Sequence, residues 1–129
     1  MTSATDLSNP QAVAEATARA MYARDEAAIG LGIEIVQMKP GYAKLTMKVR
    51  RDMLNGHQTC HGGFIFALAD SAFAFACNSH NHTTVGAGCT IDYLAPGRLD
   101  DLLVAEAVER LRGAGDEGGG APVARRARR

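Results

Sequence analysis

The sequence of 129 residues is poor in aromatic residues, which make up 5% of the chain and include no tryptophan. It has no excess of either charge, since its formal net charge is zero, and this excludes a global attraction to nucleic acid or to an anionic membrane. The first thirty residues contain no apolar segment of the kind that signal peptides carry. We therefore expect a cytoplasmic protein with neither nucleic acid nor a membrane among its partners.

Cysteine is also scarce, and the three cysteines, Cys60, Cys77 and Cys89, form no C-x-x-C pair. An odd number of thiols, two of them within apolar runs, favours reduced and buried cysteines over a disulfide framework. The histidines and Cys60 match no zinc-binding spacing, so we expect no metal ion. At 129 residues the chain is long enough for one domain with one core.

The most informative stretch of the sequence is 61–79, which we interpret as one helix. From Phe64 to Cys77 every residue is apolar except Asp70 and Ser71, and a helix that is apolar on all sides is typically buried. The stretch is too short, and carries a charge too near its middle, to span a membrane. Because a buried carboxylate without a partner is costly, Asp70 is the first candidate for a catalytic residue.

The rest of the chain predicts a helical segment followed by strands. In residues 1–29, Asn9 and Pro10 supply the cap and first turn of a helix that runs to about Arg24, and Asp25 can cap one further turn that Gly30 and Gly32 end. Residues 33–38 and 42–50 flank Pro40-Gly41 as a hairpin. Apolar residues alternate strictly along its second strand and predict one buried face: Ala43, Leu45, Met47 and Val49. Residues 83–94 and 102–110 are expected to form a third and a fourth strand.

Several motifs together resemble a known family. They are Asn55-Gly56-His57, His61-Gly62-Gly63, Leu68-Ala69-Asp70-Ser71-Ala72, and Ile91-Asp92-Tyr93-Leu94 followed by Pro96-Gly97. In types and spacing they resemble the hotdog-fold acyl-CoA thioesterases of phenylacetate degradation, the PaaI type, over about residues 16–112.

The resemblance implies an α+β hotdog fold, in which a curved antiparallel sheet wraps around the long central helix, here 61–79, in a thioesterase domain of residues 30–112. It implies homodimers formed by edge-to-edge pairing of sheets, with dimers joining into tetramers. It also implies hydrolysis of aryl- or hydroxyaryl-acetyl-CoA to the free acid and coenzyme A. Coenzyme A is then part of the substrate, and no cofactor is expected.

The chemistry of such a site can also be argued from the residues. Gly62 and Gly63 open the helix, where free backbone N–H groups and the positive end of the helix dipole favour an oxyanion. Asp70 can act as general base or as nucleophile, and the sequence leaves both open. Eight residues of helix separate Gly62 from Asp70 by roughly 12 Å, too far for both to reach one carbonyl. Two antiparallel helices across a dimer axis would bring them together and create two sites.

In the family pattern, the positions of Asn55, His61, Gly62, Asp70 and Ser71 line this site. By residue type, Asn55 would orient the attacking water, His61 would hydrogen-bond the thioester, and Ser71 would steer the acid or product. The bare backbone at Gly63 would allow the substrate a close approach, and Arg98 is a candidate partner for the phosphates of coenzyme A.

The sequence departs from the family after Arg112. Residues 113–129 show no strand periodicity and are rich in Gly, Ala, Pro and Arg, so we expect a disordered tail, read out of frame or truncated. The hotdog fold then has its C-terminal strands missing, the strand at 83–94 loses its neighbour, and one flank of the central helix is uncovered. Two alternatives therefore remain, a hotdog module that binds acyl-CoA or an acyl carrier without hydrolysis, and an inactive truncated relative.

Overall fold

Two capped helices begin the chain, as the sequence predicts. In this computed structural model, which describes residues 4–83, 88–110 and 123–128, α1 spans Pro10–Ala23 and α2 spans Glu26–Gly30. The side chain of Asn9 accepts hydrogen bonds from the first N–H groups of α1, and that of Asp25 caps α2. No helix in the described ranges is long and apolar enough to cross a membrane.

A four-stranded antiparallel sheet follows, with its strands in the order β1-β2-β3-β4. The strands are β1, Glu34–Lys39; β2, Tyr42–Lys48; β3, Leu102–Val108; and β4, Val123–Arg128. Pro40 and Gly41 form the turn between β1 and β2, where Gly41 takes a φ of +70°, a conformation that glycine adopts without strain. The predicted hairpin and fourth strand are thus confirmed.

The core lies between one face of the sheet and a long helix, α3, which spans Gly62–Cys77. All four residues predicted to face inward from the second strand and its end are fully buried: Ala43, Leu45, Met47 and Val49. Leu103, Ala105 and Ala107 on β3 extend the same face. Helix α3 packs across β2 and β3 through residues that recur every three or four positions: Ile65, Leu68, Ala72, Phe75 and Ala76.

Burial of α3 on all sides is the part of the prediction that is wrong for this chain. Asp70 is exposed, because the sheet covers one side of the helix and Asp70 lies outside the buried stripe. The argument that Asp70 is catalytic because its carboxylate is buried therefore fails for the single chain.

Two segments differ from the expected strands. Residues 88–94 form no strand, while 84–87 lie outside the described residues. In contrast, Val123–Arg128 lie antiparallel to β3 as β4, although a strand was not expected in the tail 113–129. Backbone pairing needs no hydrophobic alternation, which explains why the periodicity test missed this strand. The other residues of the predicted tail lie outside the described residues.

Helix α1 covers the free edge of the sheet at β1. The Gln11 amide donates to the carbonyl oxygen of Met38 at 2.7 Å, and the Tyr22 hydroxyl donates to that of Ile33 at 2.8 Å. Met38 lies near the end of the edge strand and Ile33 immediately precedes it, so α1 supplies hydrogen-bond donors beside this edge.

Candidate active site

A closed loop leads into the first turn of α3 and carries Asn55. The Asn55 side-chain oxygen accepts hydrogen bonds from the N–H of His57, from the N–H of Thr59 and from the Thr59 hydroxyl, at 2.9, 3.2 and 3.2 Å. Three donors on one oxygen fix the orientation of the amide. Its NH₂ group makes no hydrogen bond to a described residue, so it can donate to the oxygen of a water or of the substrate.

His61 lies at the junction of this loop with α3 and is the N-cap residue of the helix. Its Nδ1 accepts a hydrogen bond from the N–H of Gly63 at 3.0 Å, and its own N–H donates to the carbonyl of Met53 at 2.7 Å. In the neutral ring the proton is then on Nε2, which points away from the cap. Because the ring is exposed, Nε2–H can donate to an incoming carbonyl.

The cap formed by His61 distinguishes between the N–H groups of Gly62 and Gly63, which are equal candidates for an oxyanion donor on the sequence alone. The N–H of Gly63 is occupied by His61, whereas that of Gly62 makes no hydrogen bond within residues 4–83, 88–110 or 123–128. The positive end of the helix dipole adds to the attraction of this free donor for negative charge. Gly62 is therefore the residue of the pair that can bind an oxyanion.

Asp70 and Ser71 lie two turns further along α3, apart from the group formed by the loop and the first turn. Asp70 is exposed and makes no hydrogen bond or ion pair with any residue that the structure describes. Ser71 is half-buried, and its hydroxyl has no partner in the same ranges. The helical rise keeps Gly62 and Asp70 roughly 12 Å apart, so one chain does not bring them together.

Arg98 lies in a turn that packs against the entrance to α3. The carbonyl of Gly97 accepts a hydrogen bond from the N–H of Cys60 at 2.7 Å, which fixes this turn one residue before His61. The Arg98 side chain is exposed and makes no bond to a described residue. Arg98 thus lies at the same end of α3 as Gly62, while its predicted contact with phosphate remains a prediction.

Tyr93 is a residue of this site to which the sequence assigns no role. Its hydroxyl donates to the carbonyl oxygen of Gly62 at 3.1 Å. A Cβ atom at Gly62 would lie 3.0 Å from the tyrosine Cζ, so the ring occupies the space where another residue would have its side chain. The only signal in the sequence was the position of Tyr93 within a family motif.

Other features of the described residues lie away from this group. Cys60 and Cys77 are buried and form no disulfide, as expected, whereas Cys89 is exposed. No three His, Cys, Asp or Glu side chains gather into a metal-binding cluster in the part of the chain that the structure describes. An open groove between α1 and β1, lined by Arg19, Tyr22 and others, contains none of the predicted site residues.

Comparison with known proteins assigns the chain to a family. The profile of the thioesterase superfamily matches residues 57–112. Acyl-coenzyme A thioesterase PaaI of Escherichia coli K12 is 53% identical over 96 residues, which are 74% of this chain and 69% of that protein. The chain therefore belongs to the thioesterase superfamily, the thioester hydrolases of the hotdog fold, and within it to the PaaI type.

Solved structures agree with this placement. The structure of E. coli PaaI, from the phenylacetic acid degradation operon, matches with a TM-score of 0.80 and 50% identity, over 81% of this chain and 76% of that one. A thioesterase protein of Streptococcus pneumoniae TIGR4, solved with coenzyme A, matches with a TM-score of 0.61 and 32% identity, over 64% and 66%. The sheet and α3 described above therefore form a hotdog fold.

Proposed function

We propose that this protein hydrolyses aryl- or hydroxyaryl-acetyl-CoA at a site shared by two subunits of a homodimer. Gly62 of one subunit supplies the oxyanion donor, and Asp70 of the other supplies the base or nucleophile. The observation that carries the proposal is that α3 holds two groups without a hydrogen-bond partner among the described residues, the N–H of Gly62 and the exposed carboxylate of Asp70. The acyl-group class rests on the E. coli relative and its operon.

The dimer is required by distance. A helix of this length keeps the two groups roughly 12 Å apart, whereas an antiparallel pair of α3 helices brings each Gly62 toward the Asp70 of the other chain. The face of α3 that the sheet leaves uncovered includes Asp70 and half-buried Phe66 and Phe73, and a second copy of the helix would cover it. We expect such dimers to join into tetramers and to act in the cytoplasm.

The reaction balances by either route for Asp70. As a base, Asp70 takes a proton from water, the water oxygen bonds to the thioester carbon, and the carbonyl oxygen becomes negative against the Gly62 N–H. The C–S bond then breaks, and the thiolate of coenzyme A takes the proton from Asp70. As a nucleophile, the carboxylate displaces the thiolate and forms a mixed anhydride, which water cleaves while supplying the thiol proton. Neither route needs a cofactor.

The remaining site residues bind the water, the substrate or the product during these steps. The Asn55 amide nitrogen binds the attacking water, and Nε2–H of His61 donates to the thioester. Ser71, next to Asp70, hydrogen-bonds the acid or the product. Gly63 allows the thioester close to the backbone, and Arg98 binds a phosphate of coenzyme A.

The test is release of free thiol from phenylacetyl-CoA and from a ring-hydroxylated analogue. Asp70→Asn keeps the shape of the side chain and is expected to abolish turnover. Asp100→Asn is the matched control, because the exposed Asp100 side chain forms only a surface ion pair with Lys48, at 3.6 Å, among the residues that the structure describes. Asn also tolerates its φ of +68°. Full activity in Asp70→Asn would contradict the assignment, and binding of acyl-CoA by the native protein without thiol release would indicate a non-catalytic module.

A second variant tests the oxyanion donor. Gly62→Pro removes the N–H at the first helical position, where the proline backbone fits a helix, although its Cβ lies close to Tyr93. His61 has a ψ of 134°, which suits a residue before proline. Gly62→Ala is its control, because it adds the same Cβ near Tyr93 and keeps the N–H. Loss of the donor is expected to lower kcat by about 10² to 10³ relative to Gly62→Ala.

Mixing the two inactive variants tests the shared site. A dimer of one Gly62→Pro and one Asp70→Asn subunit contains one site with both groups intact. After random subunit exchange, about a quarter of the native activity is expected to return. If mixed dimers form, as mass spectrometry can establish, and no activity returns, the two groups do not act across the interface.

A further inference from the structure

Tyr93 links the start of α3 to a segment that is distant in sequence. Its hydroxyl donates to the Gly62 carbonyl at 3.1 Å, across 31 positions of the chain. Its ring lies against the Gly62 Cα, since a Cβ there would meet the tyrosine Cζ, Oη and Cε1 at 3.0, 3.2 and 3.3 Å. Tyr93 therefore contacts Gly62 through both its ring and its hydroxyl.

The first turn of α3 needs such an attachment. Two successive glycines have more backbone freedom than any other pair, and an N–H that must meet a developing oxyanion has to keep a fixed direction. On one side the turn is held by His61, through its bonds to Met53 and Gly63. Among the residues that the structure describes, Tyr93 makes the one side-chain hydrogen bond that reaches the Gly62 carbonyl from outside the helix and its cap.

We propose that Tyr93 is a positioning residue that fixes the direction of the Gly62 N–H, an inference that rests on the proposed role of Gly62 in the thioesterase reaction. The hydroxyl holds the peptide that follows Gly62, and the ring closes one side of its Cα. A substrate carbonyl then has to approach from the side that the ring leaves open. The same contact explains why residue 62 has no side chain, since a Cβ would displace the tyrosine.

The test compares Tyr93→Phe with Tyr22→Phe. Each variant removes one hydroxyl that donates to a backbone carbonyl, but Tyr22 bonds Ile33 at the edge of the sheet, away from the site. Tyr93→Phe is expected to lower kcat about five- to tenfold with KM changed by less than about twofold, because the loss corresponds to one neutral hydrogen bond. Tyr22→Phe is expected to leave both constants within about twofold. Equal kcat values for the two variants would overturn the proposal.

A readout that needs no substrate separates this proposal from the function itself. The amide resonance of Gly62 in a ¹⁵N–¹H spectrum, and the ¹³C resonance of its carbonyl, which accepts the bond, are expected to shift in Tyr93→Phe and not in Tyr22→Phe. The phenylalanine keeps the ring, so a shift reports the lost bond. An unchanged Gly62 amide would overturn the positioning role even if the native protein hydrolysed no acyl-CoA. If the native protein released no thiol but Tyr93→Phe showed the expected shift, the proposed function would be contradicted and the positioning role of Tyr93 would stand.

The steric part is tested by a second pair of variants. Gly62→Ala is expected to lower the melting temperature when Tyr93 is present, because the new Cβ lies 3.0 Å from the ring. In a Tyr93→Ala background the same substitution is expected not to lower it. An equal loss in both backgrounds would mean that the ring does not explain the glycine.

Discussion

The Nδ1 atom of His61 accepts the N–H of Gly63 at 3.0 Å, so the imidazole takes the part of the serine or aspartate that usually caps a helix. This bond leaves the neighbouring N–H of Gly62 as the free donor of the turn within the described chain. The same ring presents Nε2–H to the outside. His61 can therefore combine a structural task on one nitrogen with a chemical task on the other.

Substitution of His61 separates these tasks. His61→Ala is expected to lower the free energy of unfolding by about 1 kcal/mol through loss of the cap, while His61→Asn restores it. Urea unfolding followed by circular dichroism measures both. Thiol release is expected to stay low in both variants, because asparagine replaces the cap without the Nε2–H donor. Recovery of stability and activity together in His61→Asn would limit the imidazole to capping.

Ser79 ties the end of α3 to the hairpin turn. Its hydroxyl accepts the N–H of Gly41 and donates to the carbonyl of Ala76, both at 2.7 Å, and the residue is 1% exposed. Ser79→Ala is expected to cost about 1–3 kcal/mol in the free energy of unfolding, because it leaves the Gly41 N–H buried without a partner. Urea denaturation measures the loss.

Ser71 supplies the matched control on the same helix. Its hydroxyl makes no hydrogen bond to a described residue, so Ser71→Ala is expected to change the free energy of unfolding by less than about 0.5 kcal/mol. Thiol release is expected to show the opposite order to stability: Ser71→Ala loses activity, whereas Ser79→Ala keeps it. Two variants with equal stability would contradict the structural role of Ser79.

Gly97 is expected to tolerate no side chain. It is buried, and a Cβ there would lie 3.1 Å from the Cβ of Cys60, whose N–H it already binds. Gly97→Ala should therefore lower the free energy of unfolding by about 1–3 kcal/mol through overpacking. Gly56→Ala is the control, because nothing lies within 4 Å of the added atom. Thermal unfolding measures the difference. Equal melting temperatures for the two variants would contradict the prediction and show that the turn can shift to make room for the added Cβ.

Tyr42 makes stability sensitive to alkaline pH. Burial raises the pKa of Tyr42 from 10.0 to about 12, and the hydrogen bond to Glu106 at 2.7 Å and its negative charge act in the same direction. The folded protein holds the phenol proton more tightly than the unfolded chain. The stability that this group contributes is therefore complete below about pH 10 and is lost as the pH rises to about 12.

Tyr42→Phe removes the ionisable group and tests this dependence. The urea midpoint of the native protein is expected to fall more steeply between about pH 10 and 12 than that of Tyr42→Phe. Glu106→Gln is expected to lie between them, because burial, the largest cause, remains. Identical slopes in the native protein and Tyr42→Phe would show that Tyr42 is not responsible.

Local signals in the sequence predict much of the fold. Asn9, Pro10 and Asp25 mark helix starts, Pro40-Gly41 marks the hairpin, and the alternation along β2 identifies its buried face. These features depend on neighbours in the chain, so they can be read without tertiary contacts. Strand β4 depends on pairing with β3 rather than on its own pattern, and it was missed.

In the candidate site, too, the features that depend on local sequence could be predicted, and those that depend on tertiary contacts could not. Residue type and helix position identify Gly62 and Asp70, and helical rise predicts their separation. The burial of Asp70 was wrong, because composition cannot tell which side of an apolar helix the sheet of its own chain covers. The contact of Tyr93 with Gly62 joins positions far apart in sequence, and the cap from His61 depends on a side-chain rotamer. Neither has a sequence pattern of its own.

The bonds from α1 to the edge of the sheet have a consequence for aggregation. Gln11 and Tyr22 occupy the carbonyls of Met38, near the end of β1, and of Ile33, immediately before it. An intruding strand from another molecule would have to displace the helix and both side chains before it could pair along this edge. Helix α1 thus hinders edge-to-edge pairing of β1 with a strand of another molecule.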